Sequence, residues 1–193
     1  ATPSIPNATT NATGNYSVVV KLNGCTSLPS NSVSVVVNPI PATPLISSNS
    51  PVCAGSDILL VSTVSTTGVV TYNWTGPNSF TSNVQNPVIA TATTSVSGIY
   101  TVTATINNCT STASTTALIN PNPVVDFSTS AFVCMPNGAV AFTNNSTIAS
   151  GTLSYSWNFG DMSAPSSTVS PSYTYLNSGN YQVVLTATSN AGC

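Results

Sequence analysis

A Gly-x-Tyr step leading into alternating apolar residues occurs three times at a period of about 80 residues. It appears as Gly14-Asn15-Tyr16-Ser17-Val18, as Gly98-Ile99-Tyr100-Thr101-Val102 and, in a more divergent copy, as Gly179-Asn180-Tyr181-Gln182-Val183. Repetition at a fixed period means that one structural unit is built several times over. The first two copies align across residues 7–20 and 91–104, and the same frame carries Cys25 onto Cys109. In the two fuller copies a tryptophan precedes the tyrosine: Trp74 in Tyr72-Asn73-Trp74, and Trp157 in Tyr155-Ser156-Trp157-Asn158-Phe159. Alternation places these aromatics on one face of a central strand, so Trp74, Tyr100, Trp157 and Tyr181 are the expected core aromatics.

Between these landmarks, segments rich in Val, Ile, Thr and Tyr alternate and are separated by Gly, Pro and Asn turns. No helical periodicity lasts three turns. This is the pattern of an all-β chain. No apolar run approaches the ~20 residues a spanning helix needs, and membrane insertion is not expected.

Charge narrows function further. Lys21, Asp57, Asp126 and Asp161 are the only Lys, Arg, Asp, Glu or His residues among 193, which gives a formal net charge of -2. General acid/base catalysis, metal binding and phosphate binding draw mainly on the missing types. One lysine cannot neutralise a row of phosphates, which excludes nucleic acid as a partner, and a polybasic membrane anchor is excluded equally. Low net charge leaves little repulsion between copies, so self-association is an expected property.

Five cysteines, Cys25, Cys53, Cys109, Cys134 and Cys193, lie among Pro, Thr and Asn with no CxxC spacing. Disulfides fit this setting better than zinc, and buried free thiols are the alternative. Cys53 lies 21 residues before Trp74 and Cys109 lies 35 after it; Cys134 lies 23 before Trp157 and Cys193 lies 36 after. The matching intervals suggest Cys53–Cys109 and Cys134–Cys193 bridges, each closing a loop of nearly 60 residues and worth about 4 kcal/mol in the chain-entropy account. Cys25 is then unpaired within the chain. Lacking an initiator Met, a signal peptide and an anchor, the chain reads as an internal stretch of something longer.

Proline-rich linkers, Asn38-Pro39-Ile40-Pro41-Ala42-Thr43-Pro44 and Asn120-Pro121-Asn122-Pro123, divide the sequence into residues 1–40, 41–122 and 123–193. Proline favours extended backbone, so modules strung end to end as a rod are expected. Residues 1–40 correspond to the last strands of one repeat, and residues 123–193 lack a final strand, so both terminal modules are expected to be incomplete.

These residues resemble the tandem Ig-like and PKD-type (polycystic-kidney-disease-type) repeats of large secreted bacterial surface proteins. Residues 45–120 carry the Ig-like marks in Ser50-Pro51-Val52-Cys53, Trp74-Thr75-Gly76-Pro77 and Asn107-Asn108-Cys109; residues 1–40 resemble the C-terminal part of the same repeat. Residues 124–193 resemble a PKD module through Val124-Val125-Asp126-Phe127, Trp157-Asn158-Phe159-Gly160-Asp161 and Tyr173-Thr174-Tyr175. The resemblance implies tandem β-sandwiches acting as spacers in adhesins, extracellular fibres or secreted hydrolases, outside the cell or on its surface. It also puts Tyr100 and Tyr181 at the tyrosine corner. Val102 and Val183 stand where antibody domains carry a cysteine, so the bridge belongs toward one end of the sandwich. Met162 stands where the family turn usually has glycine.

The remaining candidates for chemistry are few. No histidine activates a serine, and Lys21, the one alternative base, falls in an alternating strand where exposure is expected, so no catalytic residue and no cofactor is expected. Asp126 and Asp161 fit turn capping better than a calcium site, which wants six to eight oxygens, and no metal site is expected. Trp74 and Trp157 could stack on sugars, but their mid-strand positions favour core packing; Phe80 is a better exposed platform. Asn7, Asn11, Asn15, Asn73, Asn108, Asn144 and Asn145 begin Asn-x-Ser/Thr sequons, candidate glycan acceptors. The expected function is therefore a non-catalytic structural segment of a bacterial filament or adhesin stalk, its partners being other copies or adjoining repeats. The rival is a carbohydrate- or surface-binding accessory module that takes surface glycans.

Overall fold

The computed structural model describes residues 2–130 and 138–193, and Cys134 lies outside the described residues. The chain is all-β, as its alternation requires, with three single 3-10 turns and no longer helix among the described residues. Two separate cores organise it. One gathers side chains from Ile58 to Ile119, the other from Phe142 to Leu185.

The N-terminal segment has neither core. Strand β1 (Gly14–Tyr16) pairs antiparallel with β4 (Val33–Val35), and β2 (Lys21–Leu22) pairs with β3 (Cys25–Thr26). Together they form one hairpin, and no residue from 2 to 40 is buried. Lys21 is exposed, as its alternating strand implies.

The central sandwich contains β5 (Leu45–Ser48), β6 (Val52–Cys53), β7 (Ile58–Thr63), β8 (Thr71–Gly76), β9 (Phe80–Ser82), β10 (Val88–Ile89), β11 (Gly98–Ile106), β12 (Cys109–Ala117) and β13 (Ile119–Asn120). One sheet has the order β10-β7-β5 and the other β12-β11-β8-β9, while β13 joins β6 in parallel. Along β11 the apolar residues Tyr100, Val102, Ala104 and Ile106 all fall on the buried face, the period-2 consequence of their spacing. Tyr100 and Val102 share one core with Ile58 and Leu60 of the opposite sheet and with Trp74 of the adjacent strand β8. The indole of Trp74 is fully buried, yet its Nε1 donates to the Gln85 carbonyl at 3.1 Å, so the core carries no orphaned indole N–H.

The C-terminal sandwich is assembled from β14 (Phe127–Thr129), β15 (Val140–Asn144), β16 (Leu153–Asn158), β17 (Ser172–Tyr173) and β18 (Val184–Ser189), with sheets β14-β15-β17 and β16-β18. Trp157 repeats the solution of Trp74: it is fully buried and its Nε1 donates to the carbonyl of Thr168, again eleven residues downstream, at 3.0 Å. Aromatics replace the aliphatic packing of the central core. Phe127 meets Trp157 edge-on at 5.0 Å, Phe159 stacks on Tyr173 at 3.9 Å, and Tyr175 stacks on Tyr181 at 4.0 Å.

Both proline linkers are pinned rather than loose. Pro41 and Pro44 are buried; Ala42 donates its N–H to Thr66 Oγ1 at 2.7 Å and accepts from Ser111 Oγ at 3.0 Å. In the second linker, Asn122 Nδ2 donates to the Ala54 carbonyl at 2.8 Å.

Candidate functional site: a stapled junction between sandwiches

The chemistry-bearing feature of this chain is a covalent bond at the boundary of its two cores. Cys53 sits on β6, opposite Asn120 of β13, where the chain leaves the central sandwich. Ala54 N–H donates to the Asn120 carbonyl at 2.8 Å and fixes that short parallel pair. From the other side, Cys193 closes a turn after β18: Ser189 N–H donates to the Cys193 carbonyl at 2.7 Å, and Cys193 N–H donates to Ser189 Oγ at 3.0 Å. The two cysteines form a disulfide with Cα atoms 5.6 Å apart, across a sequence separation of 140. Beside the bond lies a cleft of about 130 Å³, lined by Asn120 and Pro121 on one side and by Ile148, Gly151, Asn190 and Ala191 on the other.

This pairing corrects the expected Cys53–Cys109 and Cys134–Cys193 bridges. In the register of β11 with β12, Gly98 faces Ala117 at one end and Ile106 faces Cys109 at the other. Cys53 lies beyond the first end and Cys109 at the second, so a strand of roughly 26 Å separates them at about 3.3 Å per residue. A disulfide tolerates Cα separations of only about 7 Å. Cys109 is a half-buried free thiol whose Sγ donates to the Asn38 carbonyl at 3.7 Å, and Cys25 is an exposed one. The bridge expected toward one end of each sandwich is replaced by one bond that joins the two sandwiches.

The other candidates divide by burial. Trp74, Tyr100 and Trp157 are fully buried core residues, while Tyr181 is half-buried and packed on Tyr175. All three repeat tyrosines make the same local bond to the carbonyl four residues upstream: Tyr16 to Ala12 at 2.7 Å, Tyr100 to Val96 at 2.7 Å and Tyr181 to Asn177 at 2.9 Å. Phe80, expected as an exposed platform, is half-buried and packs edge-on against Tyr100 at 5.5 Å. Of the sequons, Asn7, Asn11, Asn15, Asn73, Asn108 and Asn145 are exposed. Asn144 is not: its Nδ2, the atom a glycan would join, is buried and unpartnered.

Asp161 caps its own turn. Its Oδ1 accepts from Ser163 N–H at 3.1 Å and its Oδ2 accepts from the Tyr173 hydroxyl at 2.5 Å. Hydrogen bonds from Ser163 and then Tyr173 hold its carboxyl below the usual carboxylate range, and the same contact raises the Tyr173 phenol. Asp126 contributes only backbone, its N–H donating to Ser146 Oγ at 3.2 Å. No cluster of three potential metal ligands forms among the described residues.

Residues 120–193 match the family model described as PKD domain. That match agrees with the expected PKD-type resemblance. No curated protein matches it. Among solved structures, it is similar to amphioxus IgVJ-C2 (20% identity, TM-score 0.39, covering 58% of this chain and 63% of that one). The mouse nectin-like molecule 4 ectodomain matches at 12% identity with a TM-score of 0.39, covering 89% and 66%. Three N-terminal domains of the bacteriophage RB49 outer capsid protein Hoc match at 21% identity with a TM-score of 0.39, covering 78% and 55%. The chain thus spans between about half and two thirds of the length of these structures, and at such TM-scores the likenesses carry no argument about activity. No helix among the described residues is long and apolar enough to cross a membrane.

Proposed function

We propose that this repeat segment is a non-catalytic spacer of an extracellular bacterial filament or adhesin stalk, organised as residues 1–40, 41–122 and 123–193. The observation that carries the reading is the Cys53–Cys193 bond, which joins one β-sandwich to the next beside a linker already held by hydrogen bonds. A spacer has to keep neighbouring domains in register under load, and a covalent tie between them resists separation that noncovalent contacts of this size would not. The near absence of charge fits the same role, since few groups change protonation or are screened by salt. Disulfides belong to oxidising surroundings, in keeping with an extracellular place. Partners in this reading are adjoining repeats or further copies of the chain.

Electron microscopy of the natively purified material tests it: elongated particles or filaments with an axial repeat of a few sandwiches are expected, whereas dispersed compact monomers contradict it. The rival reading, a glycan-binding accessory module, draws on the half-buried Tyr175–Tyr181 stack. Measurable retention of the chain on a glycan array would favour the rival.

A further inference from the structure

We infer that Cys109 is the anchor of a second inter-module disulfide, formed with a cysteine on a β-strand of a neighbouring Ig-like repeat that lies alongside Asn38 on the same polypeptide. The inference rests on the spacer reading and on the internal symmetry of the chain. Asn38-Pro39-Ile40-Pro41 recurs 82 residues later as Asn120-Pro121-Asn122-Pro123, and Cys109 and Cys193 follow their tryptophans by 35 and 36 residues. At the second junction Asn120 pairs with Cys53, and Cys53 bonds Cys193. At the first junction the Sγ of Cys109 lies 3.7 Å from the carbonyl of Asn38, while Asn38 Nδ2 donates to the Asn107 carbonyl at 3.4 Å. Cys109 therefore already touches the residue beside which the counterpart of Cys53 would run.

A second observation points to the same occupant. The hairpin preceding Asn38 presents Tyr16, Val18 and Val20 at 40%, 60% and 63% exposure. Their counterparts Tyr100, Val102 and Ala104 are buried in the central sandwich, where Tyr100 and Val102 pack on Ile58 and Leu60 of β7, the strand that follows directly on Cys53. A cysteine-bearing half-repeat of that kind would cover the apolar face and deliver the thiol to Cys109 in one step. The bond forms between two sulfurs as both thiols lose their protons; the two electrons and two protons pass to the disulfide of an extracellular thiol–disulfide oxidoreductase, which leaves as a dithiol.

The test is cysteine mapping of the native, unreduced protein, alkylated with one isotopic label before reduction and another after. Cys109 is expected to take only the second label. Its unreduced peptide should be linked to a cysteine that is followed by alternating apolar residues and a tryptophan about twenty residues on, with no change in apparent mass on reducing gels. Labelling of Cys109 before reduction overturns the inference, as does its linkage to Cys25, Cys53 or Cys134. A reducible dimer joined through Cys109 also overturns it, since the partner would then belong to another polypeptide. Elongated particles accompanied by a free Cys109 would leave the spacer reading standing and remove this inference alone.

Discussion

The N-terminal hairpin and the β11–β12 hairpin are aligned copies of one repeat, with Gly, Tyr and Cys at matching positions, and have opposite fates. Tyr100 and Val102 are fully buried, while Tyr16 and Val18, 84 residues earlier, are 40% and 60% exposed. Both tyrosines nevertheless donate to a carbonyl four residues upstream at 2.7 Å. Strand, turn and tyrosine corner are thus local properties that each hairpin forms for itself. Burial is supplied by the opposing sheet, and only the central copy has one among the described residues.

Substitutions that separate local from supplied stability sharpen this contrast. The largest effect belongs to the shared core. Trp74→Ala removes a fully buried indole and should cost about 3–5 kcal/mol, whereas Val18→Ala on the exposed copy should stay within about 0.5 kcal/mol; urea unfolding of both variants checks the pair. A comparable loss at Val18 would mean that the hairpin face is covered after all.

The tyrosine corner offers a finer comparison. Tyr100→Phe should cost about 1 kcal/mol, because it deletes a hydrogen bond inside a packed core, and Tyr16→Phe only a few tenths. Equal losses measured by chemical denaturation would place the value of the corner in the local bond rather than in its burial.

The C-terminal sandwich carries a local strain of its own. Met162 has φ 64°, in the left-handed region, with a fully exposed side chain. Met162→Gly should therefore stabilise the protein by about 0.5–1 kcal/mol, visible as a raised Tm of the C-terminal transition. Neighbouring Gly160 cannot be exchanged in the same way: at φ 80° an added Cβ would stand 2.5 Å from the Gln182 carbonyl oxygen.

The smallest effect is on pH. The carboxyl of Asp161 is held low by Ser163 and Tyr173. The stability this contributes is complete above the ordinary carboxylate range and fades as pH falls through the depressed value. Calorimetry from pH 6 downward should show a slight acid-side loss of Tm in the C-terminal transition that Asp161→Asn abolishes. An unchanged acid profile in that variant would show that the contact adds nothing in solution.

Much of this architecture was legible in the sequence because it depends on short-range rules. Alternation located β8, β11 and β16, and the family resemblance placed Tyr100 and Tyr181 at tyrosine corners, a bond that Tyr16 makes as well. The mid-strand positions of Trp74 and Trp157 placed both in cores. Cysteine pairing was not legible, for a reason of symmetry. Equal intervals from tryptophan to cysteine are preserved whether each cysteine pairs within its own repeat or with the next one, so spacing cannot separate the two. The register of β11 with β12 does, by sending Cys109 to the far end of the sandwich from Cys53. Contacts distant in sequence were hidden for a related reason: nothing near Phe80 announces Tyr100, nothing near Asp161 announces Tyr173, and nothing in the Asn144 sequon announces a buried amide.

The inter-sandwich staple is the central claim, and stretching single molecules between handles at the two ends of the chain tests it most directly. With Cys53 bonded to Cys193, the 140-residue separation is locked. Adding reductant should release roughly 460–500 Å of extra contour length at about 3.3–3.6 Å per residue. A release of only about 190 Å, the length expected of a Cys53–Cys109 loop at the same extension per residue, or no release at all, would contradict the account.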